Sequence, residues 1–259
     1  MIPPLHDGRL QELKEEGFTF ACHPGVACFN QCCRRLTLWL TPYDALRLKR
    51  RLGITSLEFI ERYAEMETGQ NGWPMPQLAM RADDPEHTCP FLGQGGCTVY
   101  EDRPGACRTY PLGRATKGGR DGGPSAEAFF LVREDHCQGF AQGRHWTPAE
   151  WTQDQGLETY NYVNDLFLPI ITRQAPDPDP QVIARKMQMF MMACYDLESF
   201  RKFINSTRFR QVFAIPAQRL ELAEANDLEL LKLAFDWLRF AIFSDETLTL
   251  TPEAASRTR

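Results

Sequence analysis

Residues 22–33 read CHPGVACFNQCC, and residues 89–111 read CPFLGQGGCTVYEDRPGACRTYP. These stretches hold Cys22, Cys28, Cys32, Cys33, Cys89, Cys97 and Cys107; Cys137 follows thirty residues later. Of the nine cysteines in 259 residues, only Cys194 lies outside this group. Thiolates that share a metal must converge on one point at about 2.3 Å, so they tend to come from turns and loop ends. Pro24-Gly25, Gly95-Gly96 and Pro104-Gly105 supply such turns, and Phe29, Phe91, Leu92 and Tyr110 supply apolar cover. The adjacent pair Cys32-Cys33 narrows the chemistry. Neighbouring side chains diverge by about 100° on a helix and about 180° on a strand, so two adjacent cysteines seldom serve one small ion. They more easily serve two centres, or one cluster approached from two sides. Eight cysteines allow two groups of four, and the sequence alone does not say which.

The rest of the chain bounds the class. Hydrophobic residues are 43% and charged residues 24%, as in an ordinary folded protein. The stretch MIPPLHDGRLQELKEEGF has neither a basic n-region nor an apolar core, so it does not read as a secretory signal. No apolar run approaches the ~18 residues that span a bilayer. The expectation is a cytoplasmic chain that meets no membrane, where disulfides are rare and clustered cysteines point to metal. A net charge of −5 argues against a general nucleic-acid binder. Residues 34–62 carry seven basic and three acidic groups, which reads as a solvated helix face.

Seventeen of the eighteen glycines precede residue 146, and only Gly156 follows. The expected fold is mainly α with a loop-rich metal-binding N-terminal part, a small α+β unit, and a C-terminal helical bundle-like region. Residues 1–146 form the cysteine-rich domain, 147–246 the helical region packed on it, and 247–259 a frayed tail. Thr41-Pro42-Tyr43-Asp44 opens a helix to about Leu52. Thr55 with Glu58 boxes a second, to about Met66. Thr147-Pro148 opens a third, to about Leu168. After a stiff spacer of Pro176, Pro178 and Pro180, a long helix runs from about Gln181 to Asn205, and a last one covers about Leu228–Phe243. Gly95-Gly96 suggests a short hairpin, Ala128–Arg133 a strand, and Arg114–Ser125, with four glycines, a flexible loop.

The two cysteine stretches together resemble the YkgJ-type cysteine-cluster family of zinc- or iron-chelating domains. The combination CPFL…C…Y..RP..CR.YP carries the likeness over roughly residues 18–140. The first cluster is wider here, x5 and x3, than the family's Cys-x2-Cys-x2-Cys-Cys. In its cysteine motif the family is similar to flagellin lysine N-methylases, which look like iron–sulfur proteins. The resemblance implies metal binding, and more distantly an enzyme acting on protein lysines.

From the residues themselves the metal ligands are Cys22, Cys28, Cys32, Cys33, Cys89, Cys97, Cys107 and Cys137. The centres they form favour iron–sulfur clusters, including 4Fe-4S, with zinc as the alternative. Cys89 precedes a proline, as in many ferredoxin runs. The paired Cys-x2-Cys knuckles of zinc ribbons are missing. Redox chemistry, or transformation of a small molecule or methyl group, would follow from iron; a zinc-stabilised interaction module without catalysis is the rival. The other partner, small molecule or protein, is not specified. Arg103, Arg108 and Tyr110 stand around the cluster, where they could offset its charge or hold an anionic substrate. His23, His87 and His136 read as neighbours of the ligands. Cys194 and the methionines at 187, 189, 191 and 192 read as core. There is no P-loop, no Gly-x-Gly-x-x-Gly, no Gly-x-Ser-x-Gly and no His-Glu-x-x-His.

Overall fold

The computed structural model describes residues 10–13, 17–118, 124–174 and 179–257. In chain order the elements are β1 (Leu10–Glu12), β2 (Phe18–Phe20), α1 (Pro42–Leu52), α2 (Ser56–Tyr63), β3 (Ala64–Thr68), β4 (Pro74–Leu78), β5 (Leu92–Gly93), β6 (Gly96–Cys97), α3 (Gly105–Thr109), β7 (Leu112–Gly118), β8 (Pro124–Val132) and β9 (Arg144–Trp146). Helices follow: α4 (Pro148–Asp154), α5 (Glu158–Ile171), α6 (Pro180–Tyr195), α7 (Leu197–Ile204), α8 (Thr207–Val212), α9 (Ala217–Ala225), α10 (Asp227–Phe243) and α11 (Pro252–Ser256). Four small antiparallel sheets pair β1-β8-β7, β2-β9, β3-β4 and β5-β6. This is a mainly α chain with a small α+β, loop-rich first half and a helical second half, as the sequence indicates.

The helix starts follow local chemistry. Thr41, Thr55 and Thr147 each cap a helix, with the carboxylate of Asp44, Glu58 or Glu150 returning to the cap amide. Gly53, at φ 66°, closes α1. Five expectations change. The second helix stops at Tyr63, and Met66 lies in β3 opposite Pro76 of β4; strand pairing there outweighs the helical pattern. The third helix breaks at Gly156, at φ 58°, into α4 and α5. The long helix breaks at Asp196, which ends α6 and caps α7 by accepting from the Ser199 amide. The glycine-rich stretch from Arg114 to Ser125 is mostly strand, with Arg114–Lys117 paired to Phe129–Ala126 of β8. Its turn, 119–123, lies outside the described residues, as do Pro176 and Pro178 of the spacer. Residues 247–257, read as a tail, fold back: Leu248 is buried and the Thr251 amide donates to the Val212 carbonyl. Among the described residues, no helix is long and apolar enough to cross a membrane.

One continuous apolar core runs through both halves. Trp73 has no exposed surface; it stacks on Phe190 of α6 at 4.7 Å and donates from its indole to the Arg173 carbonyl. Tyr195 donates to the Leu40 carbonyl, and Arg114 forks onto both oxygens of Asp165 at 2.8 Å. Cys194 is 1% exposed and the four methionines pack against the core.

Lys49, on α1, reaches Glu198 of α7 at 2.7 Å, and the Ser56 amide donates to the other carboxylate oxygen. Burial works to raise the Glu198 pKa, but the bonds from Lys49 and Ser56 outweigh it and bring it to about 2. A carboxylate whose pKa is depressed on folding stabilises the fold above its ordinary value and loses that contribution as pH falls toward the folded one. Glu198 is partly exposed, so the contribution is about 0.5–1 kcal/mol. Glu198→Gln is therefore expected to lower the melting temperature at neutral pH. Melting curves of the variant and the parent should converge between pH 4.5 and 2.

Candidate metal centre

The first cysteine loop is a chain of tight turns. Val26 donates to the His23 carbonyl, Phe29 to Val26, Gln31 to Cys28 and Cys33 to Asn30. Asn30, at φ 68°, starts a 3-10 turn that carries Cys32 and Cys33. Val26 is the one buried hydrophobic residue between Phe20 and Leu38, so this loop is held by backbone bonds rather than by a core. His23 is used within the turn, its Nδ1 accepting from the Gly25 amide.

Two distant segments close on this loop. The Cys89 amide donates to the Cys33 carbonyl at 2.8 Å, and Arg35 donates to the His87 carbonyl. On the other side the Ala21 amide donates to the Gly139 carbonyl, and the Gln138 amide donates to the Cys28 sulfur at 3.1 Å. Cys89 and Cys97 lie on one short hairpin: Leu92 donates to Cys89 and pairs with Cys97. Cys107 sits on α3, where the sequence suggests a turn. The buried Asp44 carboxylate fixes that helix by accepting from the Gly105 amide at 2.7 Å.

The thiols form a connected group. Cys22 is close enough to Cys32, Cys28 and Cys137 that each disfavours its ionisation, and Cys89, Cys97 and Cys107 feel one another and Cys32. Burial is the largest cause that pushes Cys22 and Cys89 up to about 11, and it raises Cys97 and Cys107 as well. Cys32 is raised first by its hydrogen bond with Cys33 and then by burial. Yet Cys22, Cys32 and Cys107 are exposed and the other five half-buried. These thiols touch solvent on one side while protein crowds them on the other. Among the described residues, no three Cys, His, Asp or Glu side chains already close round a point. As donors the set suits a soft, thiolate-loving metal: eight sulfurs carried on loops, a hairpin and one short helix.

The arginines are mostly committed elsewhere. Arg103 lies 3.8 Å over the Tyr100 ring and binds the Tyr100 carbonyl and Gln155. Its charge still favours ionisation of Cys22 and Cys97. Arg108 donates to the carbonyls of Gln155 and Glu101, and leaves a buried Nε unpaired. Tyr110 differs. Its ring meets Phe20 edge-on, and its buried hydroxyl makes no hydrogen bond of good geometry, with the Cys137 thiol its nearest acceptor. Phe91 is buried against Tyr63, and Phe29 lies over Gly96.

Residues 21–138, a little under half the chain, match the family model CxxCxxCC, described as "Putative zinc- or iron-chelating domain". No curated protein and no solved structure matches the chain. The matched segment contains all eight clustered cysteines and ends next to the Gln138 amide that meets Cys28. Zinc or iron chelation is what the family model's description names for such a domain.

Sequence reasoning missed Gln138 and Gly139. A glycine two residues after Cys137 was the available signal. A Cβ on Gly139 would come within 2.5 Å of the Phe20 ring and 2.7 Å of the Ala21 carbonyl oxygen. Only glycine lets the Cys137 segment approach the Cys22 segment this closely. Gly139→Ala is expected to cost about 1–3 kcal/mol by overpacking and to lower metal uptake per chain. Gly25→Ala, whose added methyl would meet only the His23 ring, should change both far less. Metal analysis with thermal melting checks the pair.

Proposed function

We propose that the eight thiols hold two metal centres of iron–sulfur type, and that the chain works through them. Cys22, Cys28 and Cys137 supply three ligands of one centre; Cys89, Cys97 and Cys107 supply three of the other. Cys32 and Cys33 supply one ligand to each. The observation that carries this reading is the position of the adjacent pair between the two triads. Cys32 acts electrostatically on Cys22, Cys89, Cys97 and Cys107, and Cys33 is bonded through its carbonyl to Cys89. The two side chains are hydrogen-bonded to each other here, and to serve two centres they would part on loading, as neighbouring side chains are free to do.

The large core supports iron over a zinc staple. Small zinc-stabilised modules use metal to replace a core they lack. Here forty residues, from Phe18 to Leu248, are already buried as one cluster. Metal would fix only the coreless loop from Cys22 to Cys33. Bound iron–sulfur clusters supply one-electron transfer at potentials set by charge, hydrogen bonding and solvent exposure. The chain's own share is to hold the thiols on short turns, place the Arg103 charge nearby and leave one side open to a partner.

Protein purified without oxygen is expected to be brown, with broad visible absorption and acid-labile sulfide. A colourless protein holding stoichiometric zinc would overturn the iron–sulfur reading. Cys22→Ser and Cys107→Ser should each lose about half the iron, since a four-cysteine cluster is lost in each case. Cys194→Ser should lose none. Complete loss in both single variants would replace two centres by one.

A further inference from the structure

Tyr110 is out of place as a structural residue. It ends α3, with its amide bonded to the Ala106 carbonyl, and its ring is held against Phe20. Its hydroxyl is buried, makes no hydrogen bond of good geometry, and lies against the Cys137 sulfur as its nearest acceptor. A buried hydroxyl with only a thiol to bond is destabilising relative to an apolar group of the same shape. Phenylalanine would fill the same space without that cost. Among the groups the hydroxyl faces are Cys137, Glu134 and Cys32, with Cys137 nearest in effect. A thiol is a weak acceptor, whereas a metal-bound thiolate is a strong one.

We propose that Tyr110 is a positioning residue for the centre that contains Cys137: its hydroxyl donates a hydrogen bond to the Cys137 sulfur once that sulfur is a metal-bound thiolate. The inference rests on Cys137 being a ligand, as proposed above. The hydroxyl is a donor whose nearest acceptor is a weak thiol, and ligation would turn that acceptor into a strong thiolate. It orients Cys137 in the way that outer partners orient other metal ligands, whose loss typically weakens binding by about 10–100-fold. A purely structural tyrosine predicts the reverse pattern, with its contribution present before metal arrives.

The test compares the full chain with Tyr110→Phe, metal-free and loaded with cobalt(II), which reports thiolate ligation by its sulfur-to-metal charge-transfer band. Metal-free Tyr110→Phe should melt at the same temperature as the parent or higher. Loaded, it should release cobalt to a chelator about ten-fold faster, with a displaced charge-transfer band. Equal release rates and identical spectra would overturn the inference and leave the metal reading standing. So would a metal-free variant that melts lower or fails to fold, because the hydroxyl would then serve the fold itself. Cys137→Ser separates the two claims. If that variant keeps the parent's cobalt content and spectrum, Cys137 is not a ligand and the reading beneath the inference falls with it.

Discussion

The amide of Cys89 donates to the carbonyl of Cys33, and this one backbone bond brings the two halves of the cysteine motif into register. Everything around it keeps those strands of chain from drifting apart. Backbone amides hold the surrounding segments: Ala21 donates to the Gly139 carbonyl, Gln138 to the Cys28 sulfur, and Gly105 to the buried Asp44 carboxylate. Asp44 serves twice, since it also caps α1 through Thr41. The helix that anchors the first half therefore also fixes the height of α3, which carries Cys107.

The elements written in adjacent residues were legible. Three Thr-led capping boxes, the Gly53 stop and the apolar face of α10 each depend on contacts within one or two turns. What the sequence hid depends on partners far along the chain. Met66 carries a helical pattern, yet its segment pairs with β4. The glycines after Lys117 looked like a loop because nothing local shows that Phe129 and Ala126 lie opposite Arg114 and Lys117. Asp196 and Gly156 interrupt apolar periodicities that continue unbroken across them, so the breaks were invisible to periodicity alone.

The site divides in the same way. That these cysteines belong together was plain from their clustering and from the residues between them. Which thiols stand near which was not, since Cys28 and Gln138 are brought together from opposite ends of the first half. In sequence Arg103, in the turn before Pro104, reads as structural support, and Arg108 reads equally as support or an anion site. In the structure both are spent largely on carbonyls and rings, while Arg103 also acts electrostatically on Cys22 and Cys97, as Arg81 does on Cys89.

Trp73 gives the last point. It lies inside the segment that the family model covers, yet its ring is buried on Phe190 and its indole is satisfied by Arg173, both outside that segment. A chain cut after residue 138 would leave a bare indole face and an orphaned N–H where the helices had been. The cysteine segment is therefore not a portable cassette. Grafted elsewhere, it would need to bring α6 along or find a substitute for it, so in recombination the inheritable unit is larger than the motif that identifies it.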